Sequence, residues 1–285
     1  MVAAGKVPRW KICIRFRNIT KCMKISFDDC RAQLLDKSGK AGHGAYAEWR
    51  ARANGRDVVR FVESFTHETL LRLTPADMKS VMSESDHALG DVRSEEQLRF
   101  IENFTCPFAL QHIFHYFIES QRHVPTWQEF DLFVRKTAQE FWMEPMRSFL
   151  RSSCAAHQVK SNSPIGWEAV NRAIRWRLGK FYYSAMREID LFVRVRSAGL
   201  DIKYHIFADV LLRVDFWRGM DLICVYFRNG NYRDGAEGRK KPTSSFFNDE
   251  AYPFKVHHVD IFRQGAGRFW LATEDSIEGL VNVLS

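Results

Sequence analysis

The 285-residue chain has no apolar run near the ~20 residues a membrane-spanning helix needs, which excludes a helical transmembrane protein. Cysteine is sparse: Cys13, Cys22, Cys30, Cys106, Cys154 and Cys224 scatter along the chain and form no C-x-x-C pair. A disulfide scaffold is short and cysteine-dense, and a zinc site draws on close pairs, so neither fits. The expectation is reduced thiols in a cytoplasmic protein. No G-x-S-x-G elbow, G-x-G-x-x-G fingerprint or Walker-type G-x-x-x-x-G-K-[ST] loop occurs. Hydrolase-triad, dinucleotide and P-loop chemistry therefore have no support in the sequence.

Acidic residues are missing altogether from 1–22, which hold Lys6, Arg9, Lys11, Arg15, Arg17 and Lys21. The chain carries +8 overall, from 42 Lys+Arg against 34 Asp+Glu, and six of those charges belong to this segment. The segment has neither the apolar core nor the cleavage site of a signal peptide. Met23 opens MKISFDDC, which reads like a natural start, so residues 1–22 are either an over-extension or a basic arm for phosphates. The bulk charge is thus a poor guide to a nucleic-acid partner.

What is present is a chain 46% hydrophobic, with 23 Phe, long enough to bury a substantial core. KSGKAGHG at 37–44 reads as a glycine-rich loop. From Asp57 to about Met143 the pattern is helical, with Val58, Val59, Phe61, Val62 and Phe65 on one face. Thr74-Pro75-Ala76-Asp77, Ser94-Glu95-Glu96-Gln97 and Thr126-Trp127-Gln128-Glu129 carry helix-start chemistry. Residues 151–165 read as a linker. A helical run from Trp167 to Ser197 follows, with Gly179 a point of kinking and Gly199 a C-cap. Residues 202–217 then read as a strand, 222–227 as its partner, and 255–262 with 268–273 as a hairpin. The expected class is α+β: a basic segment 1–56, a helical domain 57–150, and a C-terminal α/β domain 164–285 with a small four-stranded sheet.

Carboxylates supply the strongest chemical signal. On a strand, Asp209, Leu211, Arg213 and Asp215 would share a face, and Glu188 approaches from the preceding helix. Three hard oxygen donors suit Mg²⁺, which polarises a phosphodiester and activates water. The order helix, strand, turn, strand over 180–228 resembles the core of PD-(D/E)XK restriction-endonuclease-like proteins. The resemblance implies that Asp215 is the first acid of that motif and Glu188 its helix acid; Asp209 joins them as a Mg²⁺ ligand on the strand-face reading alone. The next strand departs from the pattern: Ile223-Cys224-Val225 and Cys224-Val225-Tyr226 offer neither a second acid nor a lysine. Lys240 or Lys241 in the following loop would then supply the cation. The resemblance further implies Mg²⁺-dependent nucleic-acid cleavage in a bacterial mobile-element or phage-defence setting. The structural alternative is that Asp215 and Asp221 serve a glycine turn, and that Glu188 pairs with Arg187 or Arg194.

DNA or RNA would be gripped by two basic groups. Arg172, Arg175, Arg177 and Lys180 interleave with Trp167, Trp176, Phe181, Tyr182 and Tyr183; Arg233, Arg239 and Lys241 follow the second strand. The competing reading of the first group is an ordinary amphipathic helix. His112 and His115 are three apart, His257 and His258 point to opposite faces of a strand, and His205 stands alone, so histidine metal ligation is not expected. A second functional class remains open. The Phe-rich helical region would bind a partner protein and the sheet would be a docking platform, a reading that the missing acid-x-Lys favours.

Overall fold

The computed structural model describes residues 23–52, 56–90, 110–136, 151, 152, 154, 155, 166–227 and 242–285. The chain enters through a two-residue strand β1 (Ile25–Ser26) and helix α1 (Phe27–Gln33). Ser26 caps that helix: its hydroxyl accepts from the Asp29 N–H while the Asp29 carboxylate accepts from the Ser26 N–H. Helix α2 (Lys40–Ala51) begins inside the segment read as a glycine-rich loop, with Gly39 as its N-cap. Glycine weakens a helix without forbidding it, and Tyr46 and Trp49 anchor this one on the core.

Helix α3 (Arg56–Glu63) buries Val58, Val59 and Val62 as its periodicity predicts. Strand β2 (Thr66–His67) then pairs antiparallel with β1, Ile25 opposite His67. Helices α4 (Thr69–Arg72) and α5 (Pro75–Glu84) follow, the latter opened by the Thr74/Asp77 capping box. Helices α6 (Leu110–Gln121) and α7 (Trp127–Lys136) complete this part. The Thr126/Glu129 box caps α7 as expected; Ser94–Gln97 lies outside the described residues.

Helix α8 (Trp167–Ser197) is the axis of the fold, 31 residues and about 46 Å long. Val170, Ile174, Leu178, Tyr182, Met186 and Ile189 line one stripe at helical spacing and are buried. The expected break at Gly179 is absent. That glycine serves close packing instead: a Cβ there would stand 2.7 Å from the Ala88 carbonyl oxygen. The helix ends at Ala198–Gly199, where Gly199 takes φ +101°.

The β-structure differs from expectation in two places. Residues 206–212 are helical, ending in a π-type turn (Ala208–Leu212), and Arg213 adopts the left-handed region at φ +63°. Only Phe216–Arg218 forms the strand, β3. Short apolar runs are buried equally well as helix or strand, so the composition of 202–217 does not decide between them. β3 pairs antiparallel with β4 (Asp221–Tyr226) around Gly219, and β5 (Lys255–Asp260) pairs parallel to β4. The expected hairpin between 255–262 and 268–273 is replaced by β6 (Arg263–Ala266) with β7 (Phe269–Ala272). A three-stranded sheet and a separate hairpin thus stand where one four-stranded sheet was expected.

Helix α9 (Glu274–Leu284), capped by Thr273, returns against α8 through Ile277, Leu280 and Leu284. The class is α+β, helical in its N-terminal part. One apolar cluster runs from Ile25 through α6, α7 and α8 to Leu284.

Candidate functional site: a carboxylate cluster on the central helix

Glu188 lies on the second half of α8, where that helix is enclosed on several sides. The π-turn presents Asp209 toward it, and Asp215 enters from the residue before β3. All three carboxylates sense one another: the charges of Asp209 and Asp215 act on Glu188, and that of Asp209 acts on Asp215. The three acids come together as expected, but not by the expected route. Asp209 and Asp215 do not share a strand face; they sit on either side of the left-handed Arg213.

Each carboxylate has a defined partner. Asp215 Oδ2 accepts from the Val225 N–H on β4 at 2.6 Å, while the Asp215 N–H donates to the Ile223 carbonyl. Asp209 Oδ2 accepts from the Tyr204 hydroxyl at 3.0 Å. Gln111, from α6, donates through Nε2 to Tyr204 Oη at 3.2 Å and reaches Glu188 Oε2 at 3.4 Å. Burial and like charge push the Glu188 carboxyl well above the carboxylate range, and Asp215 is held at about 8 for the same reasons, burial first. Neither acid is sealed from solvent. Glu188, Asp215, Gln111, His115 and Tyr204 line a cavity of about 10 Å³, the room one water needs.

Two arginines supply the positive charge that the acid-x-Lys motif lacks. Arg213 stands beside Asp209 and Asp215, and Arg187 beside Glu188. The turn that aims Arg213 is pinned from behind, its carbonyl accepting from Thr243 Oγ1 at 2.7 Å and Cys224 Sγ at 3.3 Å. The Arg187 guanidinium lies 5.0 Å from the Phe227 ring centroid and donates to the Trp270 carbonyl at 2.7 Å. Sequence reasoning missed both as site residues, together with Gln111 and Tyr204. The sequence does place Arg187 directly before Glu188 and Arg213 between the two acids, but nothing in it links Gln111 to them.

The donors match Mg²⁺ in chemistry, being hard oxygens in a partly open cleft. Among the described residues no three His, Cys, Asp or Glu side chains form a ready ligand group. Two carboxylates completed by water are a usual Mg²⁺ environment, and Glu188 and Asp215 both line the cavity.

The basic residues expected to grip nucleic acid lie on the first half of α8 and have partners of their own. Arg172 pairs with Glu168 at 3.0 Å. Arg175 donates to the carbonyls of His87 and Ala88 and lies over Trp127, so it ties α8 to the chain after α5. Arg177 is on the same stretch, and Lys180 packs over Trp176. These residues stand about 12–24 Å along the helix from Glu188. Lys240, Lys241, Arg233 and Arg239 lie outside the described residues.

Four histidines form a buried cluster beside the cavity. The His67 ring stands 5.0 Å from that of His115 and 5.3 Å from that of His205, and His112 is buried nearby. Backbone groups occupy the nitrogens of His205: Nδ1 accepts from the Phe207 N–H and Nε2 donates to the Phe65 carbonyl. His67 Nε2 accepts from the Ile206 N–H, which turns its Nδ1 proton toward Glu119 at 3.5 Å. Burial lowers all four, His112 to about 4. Glu119 in turn accepts from the N–H groups of Glu68, Thr69 and Leu70, capping α4. On the sheet, His257 Nε2 meets Asp221 at 2.8 Å, so Asp221 serves the turn and its neighbour strand.

No protein-family model, curated protein or solved structure matches this chain.

Proposed function

We propose that the protein is a Mg²⁺-dependent phosphodiesterase acting on nucleic acid, with Glu188 and Asp215 as the ion's protein ligands. The observation that carries this reading is the pair of carboxylates around one small solvent-reaching cavity, each destabilised in its charged form by burial and by its neighbours. A divalent cation relieves that repulsion, and its binding releases the protons the two acids hold. When bound, the ion polarises the phosphodiester and lowers the pKa of a coordinated water.

The chain's own residues account for the rest. Arg213 and Arg187 offset the charge that develops on the phosphate, the role that lysine takes in PD-(D/E)XK-like proteins. Gln111 bridges Glu188 and Tyr204, and the Tyr204 hydroxyl restrains Asp209 beside the ligand pair. Reduced Cys30 and Cys224, both buried, suit a cytoplasmic setting. A phage-defence or mobile-element role would follow from the resemblance alone.

A second reading, a non-catalytic interaction module, is favoured by Ile223-Cys224-Val225, which put apolar side chains where the motif has an acid and a lysine. A nuclease assay separates the two. Full-length protein is incubated with single- and double-stranded DNA and RNA in Mg²⁺, Mn²⁺ or EDTA. Cleavage sensitive to EDTA, and reduced ~10²-fold or more in D215N and E188Q, is expected. D215N cleaving at the wild-type rate, or a wild type inert on every substrate, would overturn the hydrolase and leave the module.

A further inference from the structure

The β6–β7 hairpin has one face buried and one open. Phe269 and Leu271 pack inward on α8, whereas Trp270 is 59% exposed. Side chains alternate along a strand, so Trp270 points away from the face that holds Phe269 and Leu271. Gly265 pairs directly with Trp270 and offers no side chain to cover the indole. Arg263, two residues from Gly265, projects on the same face, diagonal to the ring. From Ile261 to Thr273 the chain holds two arginines and no Asp or Glu. A tryptophan left this exposed gains only part of the stabilisation that full burial gives.

The hairpin is tied to the carboxylate cleft by one residue. Arg187 donates to the Trp270 carbonyl, stacks on Phe227 just past β4, and is electrostatically coupled to both Arg263 and Glu188. A path of positive charge and aromatic surface therefore leads from Trp270 through Arg187 to the cleft.

We propose that this face is a stacking platform for single-stranded nucleic acid. The Trp270 indole would stack on a base while Arg263 and Arg268 hold the flanking phosphates and Arg187 directs the strand to Glu188 and Asp215. The inference rests on the phosphodiesterase reading and names its substrate class. The occupant follows from chemistry. A ring bordered by guanidinium groups suits alternating bases and phosphates, and a duplex, whose bases are already stacked, offers no free face to the indole. Arg268 also donates to the Ser85 carbonyl, which fixes the turn of the hairpin and leaves its charge in place.

The test is binding in EDTA, so that it does not depend on cleavage. Fluorescence anisotropy is measured with labelled oligo-dT, oligo-rU and a duplex of equal length, using the full chain. The single strands are expected to bind more tightly than the duplex. W270A should weaken single-strand binding about tenfold and W270F should restore most of it. R263E should weaken binding and flatten the dependence of log Kd on log salt by about one phosphate contact. Equal affinity of W270A and wild type, or preference for duplex, would overturn the platform and assign the face to another occupant, such as a protein. Tryptophan-dependent binding without cleavage would remove the hydrolase and keep the platform; cleavage indifferent to Trp270 would do the reverse.

Discussion

Asp215 and Glu188 hold their protons well above the normal carboxylate range, while burial lowers His67, His112, His115 and His205 below the normal imidazole range. These shifts act on stability in opposite directions. Between about pH 4 and 8 the folded protein keeps a proton on Asp215 that the unfolded chain has lost, so stability falls as pH rises through that window. Between about 6.5 and 4 the unfolded chain protonates its histidines and the folded one does not, so stability falls as pH drops. Stability should therefore peak near neutrality. In D215N the alkaline limb should flatten and the acid limb should steepen, because Asp215 opposes the histidines between about pH 4 and 6.5. Urea unfolding at half-unit pH steps checks this, and an identical alkaline limb in D215N would contradict the assignment. At this scale the sequence named Glu188, Asp209 and Asp215 as a group, because acids amid apolar residues stand out. It did not name Gln111 or Tyr204, whose polar groups look ordinary until the fold sets them between the acids.

The elements depend on what surrounds them. Gly179 and Gly44 are both helical glycines, and local propensity treats them alike. Gly44 on α2 has open space around a Cβ, whereas at Gly179 the Cβ would meet the Ala88 backbone. G44A should stabilise by about 0.5–1 kcal/mol. G179A should destabilise by about 1–3 kcal/mol despite the same gain in propensity. Chemical denaturation of the two variants checks the pair, and a stabilising G179A would show that α8 and the chain after α5 can separate there. The long helices, their capping boxes and the β3–β4 turn at Gly219 were legible, since periodicity and cap chemistry are local. The helical 206–212 was not: Ile206, Phe207 and Leu212 are buried together, and their apolar run fits either conformation. Nor was the parallel β4–β5 pair, because partner choice across the intervening 227–254 leaves no local trace.

Across the whole molecule, one core joins segments distant in sequence. Ile25 pairs with His67 on the β1–β2 ladder, Tyr182 of α8 bonds Ser85 and the Pro125 carbonyl, and Lys203 reaches Gln33. Helix α8 is covered by β7 and α9 from its own C-terminal part and by α5, α6 and α7 from the N-terminal part. Residues 164–285 expressed alone would leave the side of α8 that faces α5, α6 and α7 in water. Such a fragment should show no cooperative thermal transition and should bind a hydrophobic dye. A sharp transition would mean that α8 and the sheets form their own core.

The sequence by itself determined the α+β class, the helical N-terminal part and the absence of a membrane-crossing helix among the described residues. Those properties follow from composition and short-range periodicity. The tertiary structure decided how the acids meet. A left-handed Arg213, not a strand period, sets Asp209 and Asp215 apart, and α6 brings Gln111 to them. It also decided where aromatic and positive surface stands open: at Trp270 beside Arg263, and at Trp167, Arg175 and Lys180 on α8. Exposure depends on which chain segments pack against a residue, and that is a long-range property.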